Sequence, residues 1–299
     1  MTATPAARLL GACLLLLVGA CRSPESKKDA DPAPSGTETS AGEAAPAASG
    51  SASAPSVSAL APAPIPRERV QAVVNPKGVA AYAGPAGTVE GIVRIEGPEA
   101  PKLDLKIPTA CGDALATYSK LFREGTGRTL ADALVTVTEY EGYVPSKREV
   151  TTVPIRGCAY DTRTIAMTFG ERLEVANRDT RFSYLPQLHG SRHAVDVVAV
   201  PKGDPVRLYP TEVGRYVLGD GMARHWMQAD VFVLKYSTHD VTGLDGKFRI
   251  ENVPVGKARV TAYLPALDVA VDREVEVKEG EPTVVELTLR HEPKKDGGK

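Results

Sequence analysis

The sequence predicts an all-β protein, and three observations predict it. Apolar and polar residues alternate with a period of two over many short runs. Each run closes on Gly, Pro or Asn-Asp turn residues. Only one stretch of the folded part lacks this rhythm. The first run, "TVEGIVRIEG", sets Val89, Gly91, Val93 and Ile95 against Glu90, Arg94 and Glu96, as a half-buried strand does. The runs "DALVTVTEYEG", "EVTTVPIRGCAY", "RTIAMTFGERLEVANRD", "AVDVVAVPKGD", "PVRLYPTEVGRYVL" and "ADVFVLKY" follow. The exception, "GDALATYSKLFREGTGRT" after Cys111, is the expected helix or irregular excursion. Short strands at such spacing imply a sandwich or a Greek-key barrel.

After Tyr236 a second rhythm begins. "LDGKFRI" places Asp-Gly at a tight turn ahead of an alternating strand, a strong hairpin signal. "NVPVGKARVTAYL" reads as a turn into another strand, and "REVEVKEGEPTVVELTL" as a hairpin. These runs predict a separate small β-sandwich of about 50 residues.

The N-terminus speaks to location. Arg8 precedes the apolar run "LLGACLLLLVGA", which is short for a membrane span and ends on "VGAC". This end resembles a bacterial lipobox, in which cleavage before Cys21 leaves that cysteine to carry the lipid. An ordinary secretory signal with an incidental cysteine is the alternative. Several acyl chains on Cys21 would anchor the chain stably to a bilayer. Arg22 follows the cysteine where an Asp would favour retention at the inner membrane, so the resemblance implies the outer membrane. Beyond it, Ala, Pro, Ser and Gly dominate, with no apolar periodicity to offset chain entropy. The expected organisation is a signal peptide (1–20), a lipidated and disordered tether (21–81), one β-domain (82–236), a second (237–290) and a disordered tail (291–299).

Thirty-six Lys and Arg against 37 Asp and Glu leave a net charge of −1, with no dense basic cluster to suggest nucleic acid. Of the four cysteines, Cys13 leaves with the signal and Cys21 is lipidated. Cys111 and Cys158 remain in an oxidising compartment, where a disulfide is expected. Two free thiols or a metal pair are the alternatives, and neither cysteine stands in a CxxC pattern.

Two stretches carry family resemblances. "TGLDGKFRIENVPVGKARVTAY" is similar to the carboxypeptidase regulatory-like (transthyretin-like) domain. The resemblance implies a β-sandwich that acts as a spacer or adhesion module and brings no catalytic residues. The preceding part resembles an exported plastocyanin-like (cupredoxin) domain through "GCAY", "GERLEVANRD", "GRY" and "HWM". The fold so implied is a Greek-key cupredoxin-like β-barrel or sandwich followed by the small sandwich.

A type 1 copper site needs two imidazoles, a thiolate and a weak axial thioether. By the family's pattern the first His falls at Ser183, the Cys at Asp220 or Gly221, and the second His at Ala223 or Arg224. Met227 alone stands where an axial Met belongs. The resemblance therefore implies a copper scaffold without its ligands, and no cofactor. The alternative is copper held by His189, His193, His225 and Met227 in some other geometry. Ser191, His193 and Asp196 lie close in sequence, but triads assemble in space around a strained nucleophile. The expectation is a non-catalytic, lipid-anchored envelope protein. It would meet the membrane through its anchor and bind an envelope protein or a glycan, with a periplasmic copper-binding or electron-transfer protein as the alternative.

Overall fold

The computed structural model describes residues 64–191 and 196–292. The expected signal peptide, Cys21, most of the tether, His193 and all but the start of the tail lie outside the described residues. The chain runs α1 (Arg67–Val74), β1 (Ala86–Glu96), α2 (Gly112–Tyr118), β2 (Leu134–Thr138), β3 (Val150–Arg156), β4 (Ala159–Tyr160) and β5 (Thr164–Thr168). It continues through β6 (Arg172–Asn177), β7 (Pro186–His189), β8 (Val206–Leu208), β9 (Gly214–Asp220) and β10 (Gln228–Leu234). Last come β11 (His239–Val241), β12 (Lys247–Pro254), β13 (Gly256–Leu264), β14 (Val269–Val277) and β15 (Thr283–Arg290). No helix among the described residues is long and apolar enough to cross a bilayer.

The protein is mostly β, as the alternation predicts, and its sheets pair as two sandwiches with no closed barrel. A central sandwich has sheets ordered β4-β3-β6-β8 and β5-β10-β9-β7. Its core holds Ile155, Tyr160, Met167, Leu173, Tyr184 and Met227, all essentially without solvent contact. A flanking sandwich has sheets ordered β12-β1-β15 and β11-β2-β13-β14, around Val89, Ile95, Val135, Val260 and Leu287.

The expected division at Tyr236 does not follow these sheets. β1 pairs antiparallel with β12 and parallel with β15, and β2 lies between β11 and β13. Both strands therefore belong to the flanking sandwich, although they precede the central one in the chain. The reason is burial. Val89, Val93 and Ile95 complete that core, each worth about 1.5–3 kcal/mol when fully buried. Alternation states which face of β1 is apolar and says nothing about which sheet supplies the cover.

The turns after Tyr236 also differ from expectation. The Asp245-Gly246 turn reverses the chain, with Gly246 at φ +70° and the Asp245 carboxylate accepting from Lys247 N at 3.1 Å. It joins β11 to β12, which lie in opposite sheets, so no hairpin forms. The turns from β12 to β13 and from β14 to β15 likewise cross between sheets. The hairpin of this region is β13–β14, closed where Leu264 faces Val269.

Two elements frame the central sandwich. The expected helix after Cys111 is α2, and Cys111 at its N-cap is bonded to Cys158 in the β3–β4 turn, with Cα atoms 5.1 Å apart. The stretch expected as the end of a disordered tether instead forms α1. Val70, Val73 and Val74 recur at helical spacing and pack with Ile65 on the central core. The helix sits close because Gly170 lies beneath it, at φ +102°, where an added Cβ would come within 2.7 Å of Val70. Arg69 donates to the Thr211 carbonyl at 2.9 Å and fixes the helix laterally.

Candidate functional site

The candidate site is the end of the central sandwich where the loops after β6 and β9 meet. β6 ends in Asn177, whose amide nitrogen donates to the carbonyls of Phe182 and Ala199, both at 2.8 Å, while its oxygen accepts from Asp179 N at 3.0 Å. The Asp179 carboxylate accepts from Gly157 N at 3.0 Å and from the Tyr184 hydroxyl. That hydroxyl also accepts from Cys158 N at 3.2 Å. The Asn-x-Asp turn is thus a hub tying the β6 loop to the disulfide-bearing turn. Burial, reinforced by the bond to Asp179, pushes the Tyr184 phenol well above its ordinary value, so it stays a donor.

The second loop starts at Asp220, whose side chain is 0% exposed. Its carboxylate accepts from Leu185 N at 2.7 Å and Met222 N at 3.3 Å. It also pairs with Arg224 Nη1 at 2.6 Å. The same Nη1 donates to the Ser183 carbonyl at 3.2 Å, and the guanidinium carbon lies 4.6 Å from the Tyr184 ring centroid and 5.7 Å from that of Phe182. A guanidinium over aromatic faces gains a further cation–π attraction, about 0.5–2 kcal/mol. The chain passes Ala223 at φ +65° to bring Arg224 back onto Asp220.

Of the positions to which the resemblance assigns copper ligands (Ser183, Asp220 or Gly221, Ala223 or Arg224), Asp220, Arg224 and the backbone carbonyl of Ser183 are in contact. The donor set does not fit copper. A guanidinium has no free lone pair and keeps its charge at all working pH values, so it cannot ligate and it repels a cation. The carboxylate that could ligate already holds that guanidinium. The signal for this pair was present in the sequence as Asp and Arg four residues apart, but that spacing ordinarily marks a helix face, and here it closes a loop.

The alternative ligands fare as follows. Met227 is wholly buried, whereas His225, two residues before it, is exposed, so imidazole and thioether point into different surroundings. Between them Trp226 is half-buried and donates from Nε1 to the Cys158 carbonyl at 3.3 Å. His189 ends β7 and covers Gly219, with Nε2 2.8 Å from where a Cβ would stand. His193 lies outside the described residues. Among the described residues no group of three or more His, Cys, Asp or Glu is arranged to hold a metal ion.

No known family matches the chain by sequence, and no curated protein does. Among solved structures it is similar to a reduced amicyanin mutant, at 19% identity over 33% of this chain and 99% of that one, with a TM-score of 0.26. A second reduced amicyanin mutant matches at 18% identity over 33% of this chain and 98% of that one, TM-score 0.26. A Cu-containing nitrite reductase from Thermus scotoductus SA-01 matches at 16% identity, over 32% of this chain and 24% of that one, TM-score 0.25. Identities and scores this low leave the protein's chemistry to its own residues.

Proposed function

We propose that the protein is a lipid-anchored envelope protein with a binding or structural role. Its central sandwich is cupredoxin-like and works without copper. One observation supports the reading: the Asp220–Arg224 ion pair, with the Ser183 carbonyl, joins positions to which the resemblance assigns metal ligands. The pair closes the two loops from within and needs no ion to do so. The lipobox-like "VGAC" supports an anchor at Cys21, and the outer membrane is the membrane that Arg22 favours. The absence of a constellation for catalysis in the sequence motifs supports a role in binding rather than turnover.

Two measurements test this. The full chain, loaded with Cu(II) and dialysed, should retain no stoichiometric copper. Retention, lost on changing His189, His193 or His225, would favour the copper-binding or electron-transfer alternative. A Cys21→Ser variant should leave the envelope membrane fraction, and continued membrane association would remove the anchor from the reading.

A further inference from the structure

Beneath α1 the central sandwich carries a cleft of about 550 Å³, within the size range of small-molecule sites. α1 supplies one wall with Arg67. The opposite walls bring Tyr143 and Arg148 from the approach to β3, Arg172 from β6, Tyr209 after β8 and Lys235 after β10. Four cations thus face one cavity with two carboxylates, Glu149 and Glu171.

The balance favours an anion more than the count suggests. The Glu171 carboxylate is 2% exposed and already accepts from Ser146 Oγ and Thr151 Oγ1, both at 2.8 Å, with Arg148 Nε at 3.4 Å. Arg172 shares Glu174 with Arg207, at 2.8 and 3.4 Å. Arg67 and Lys235 are exposed, and no carboxylate among the described residues pairs with either. Among the described residues, two exposed cations that no carboxylate pairs, against one unpaired carboxylate, Glu149, therefore stand at a cleft lined by two half-buried tyrosines. A long acyl chain or an amphipathic helix would need a continuous apolar groove, which these charged walls interrupt. A pyranose presents an apolar C–H face and a fringe of hydroxyls, and suits tyrosine rings alternating with polar side chains.

We propose that this cleft binds an acidic carbohydrate, its carboxylate held by Arg67 and Lys235 and its ring faces by Tyr143 and Tyr209. The inference rests on the binding role proposed above and names the class of ligand. Because α1 forms a wall, occupation would also hold the end of the tether against the sandwich.

The test is calorimetric titration of the full chain in detergent with a galacturonic acid trimer and with its neutral galactose counterpart. Binding of the acidic trimer should be at least about tenfold tighter than that of the neutral one. It should weaken at least about tenfold in an Arg67→Glu/Lys235→Glu variant and again in Tyr209→Ala, with circular dichroism melts confirming that both variants fold. No binding, equal binding of the neutral trimer, or unchanged affinity in the folded variants would overturn the proposal. So would displacement of the trimer by inorganic phosphate or by phosphatidylglycerol vesicles at lower concentration than by glucuronate. Copper content and membrane partition of the same preparation report separately on the anchored, copper-free reading, so the two can fail independently.

Discussion

Among the described residues two aspartate–arginine pairs are buried, and their comparison separates what holds the fold from what shapes the site. Asp132 (side chain 6% exposed) meets Arg123 (14%) in a bidentate pair at 2.6 and 2.5 Å. Asp220 (0%) meets Arg224 (18%) through a single nitrogen. The Asp132 carboxylate also accepts from Thr162 Oγ1 at 3.0 Å and Arg163 N at 2.8 Å, both in the turn between β4 and β5. It stands just before β2, so one carboxylate joins the flanking sandwich to the central one. Burial pulls the Arg123 guanidinium down, but the bond and charge of Asp132 outweigh it and raise it. The partners of Asp220 all lie at one end of one sandwich. The same chemistry is a joint in one place and a closure in the other.

Breaking the joint should have the largest effect. Asp132→Asn leaves Arg123 buried without its counter-charge and should cost about 3–5 kcal/mol in urea unfolding. A loss under about 1 kcal/mol would mean that water reaches the joint and that the comparison is drawn wrongly.

The disulfide frames the closure, since the Cys158 carbonyl and amide bond Trp226 and Tyr184. Cys111→Ser/Cys158→Ser releases a loop of 47 residues' separation and should cost about 4 kcal/mol on the chain-entropy estimate. If amide exchange in the Asp220 loop stays slow in that variant, the ion pair closes the end unaided.

Breaking the closure itself should cost less, roughly 2–3 kcal/mol for Asp220→Asn, because Arg224 keeps the Tyr184 ring and can turn to water. Hydrogen exchange should rise at 182–186 and 220–227 before the sheets open. In a double-mutant cycle with Arg224→Met, a coupling of about 0.5–3 kcal/mol is expected, and additive losses would deny that the two residues act as a pair.

A last effect is graded with pH, smallest near neutrality, and arises where β11 packs against β5. His239 on β11 faces Thr168 Oγ1 on β5 at 3.3 Å and Arg148 at 3.4 Å. Burial first, then the Arg148 charge, lowers its pKa from 6.5 to about 3. Between these values the unfolded chain takes up a proton that the folded chain refuses. Stability is therefore lost as pH falls from 6.5 towards about 3, by up to about 1.4 kcal/mol per pH unit. His239→Phe should flatten that slope, and an unchanged slope would assign it to other groups.

The residues behind each of these features differ in how plainly the sequence shows them. Most strands of the central sandwich follow from alternation, because a period of two is a property of one chain segment. However, β7 lies in no alternating run, and the expected strand over 196–204 forms only an isolated bridge at Ala199, with Val197, Val198 and Val200 exposed. Turn residues such as Asp245-Gly246 mark where the chain reverses, but a reversal within one sheet and a crossing between two use the same chemistry. That is why β12 and β15 read as hairpin partners of their neighbours and instead flank β1. The valines of α1 stand at helical spacing, but three in eight residues are too short a run to outweigh the Ala/Pro/Ser-rich composition that precedes them.

By itself the sequence determined the all-β class, the faces of the strands and the cysteines free to pair. The tertiary structure decided which strands share a sheet and that β1 and β2 complete the flanking sandwich. It also decided that Asp220 and Arg224 meet over Tyr184. Side-chain identity is local, whereas partnership between residues far apart in the chain is settled only by the burial and charge balance of the whole packed molecule.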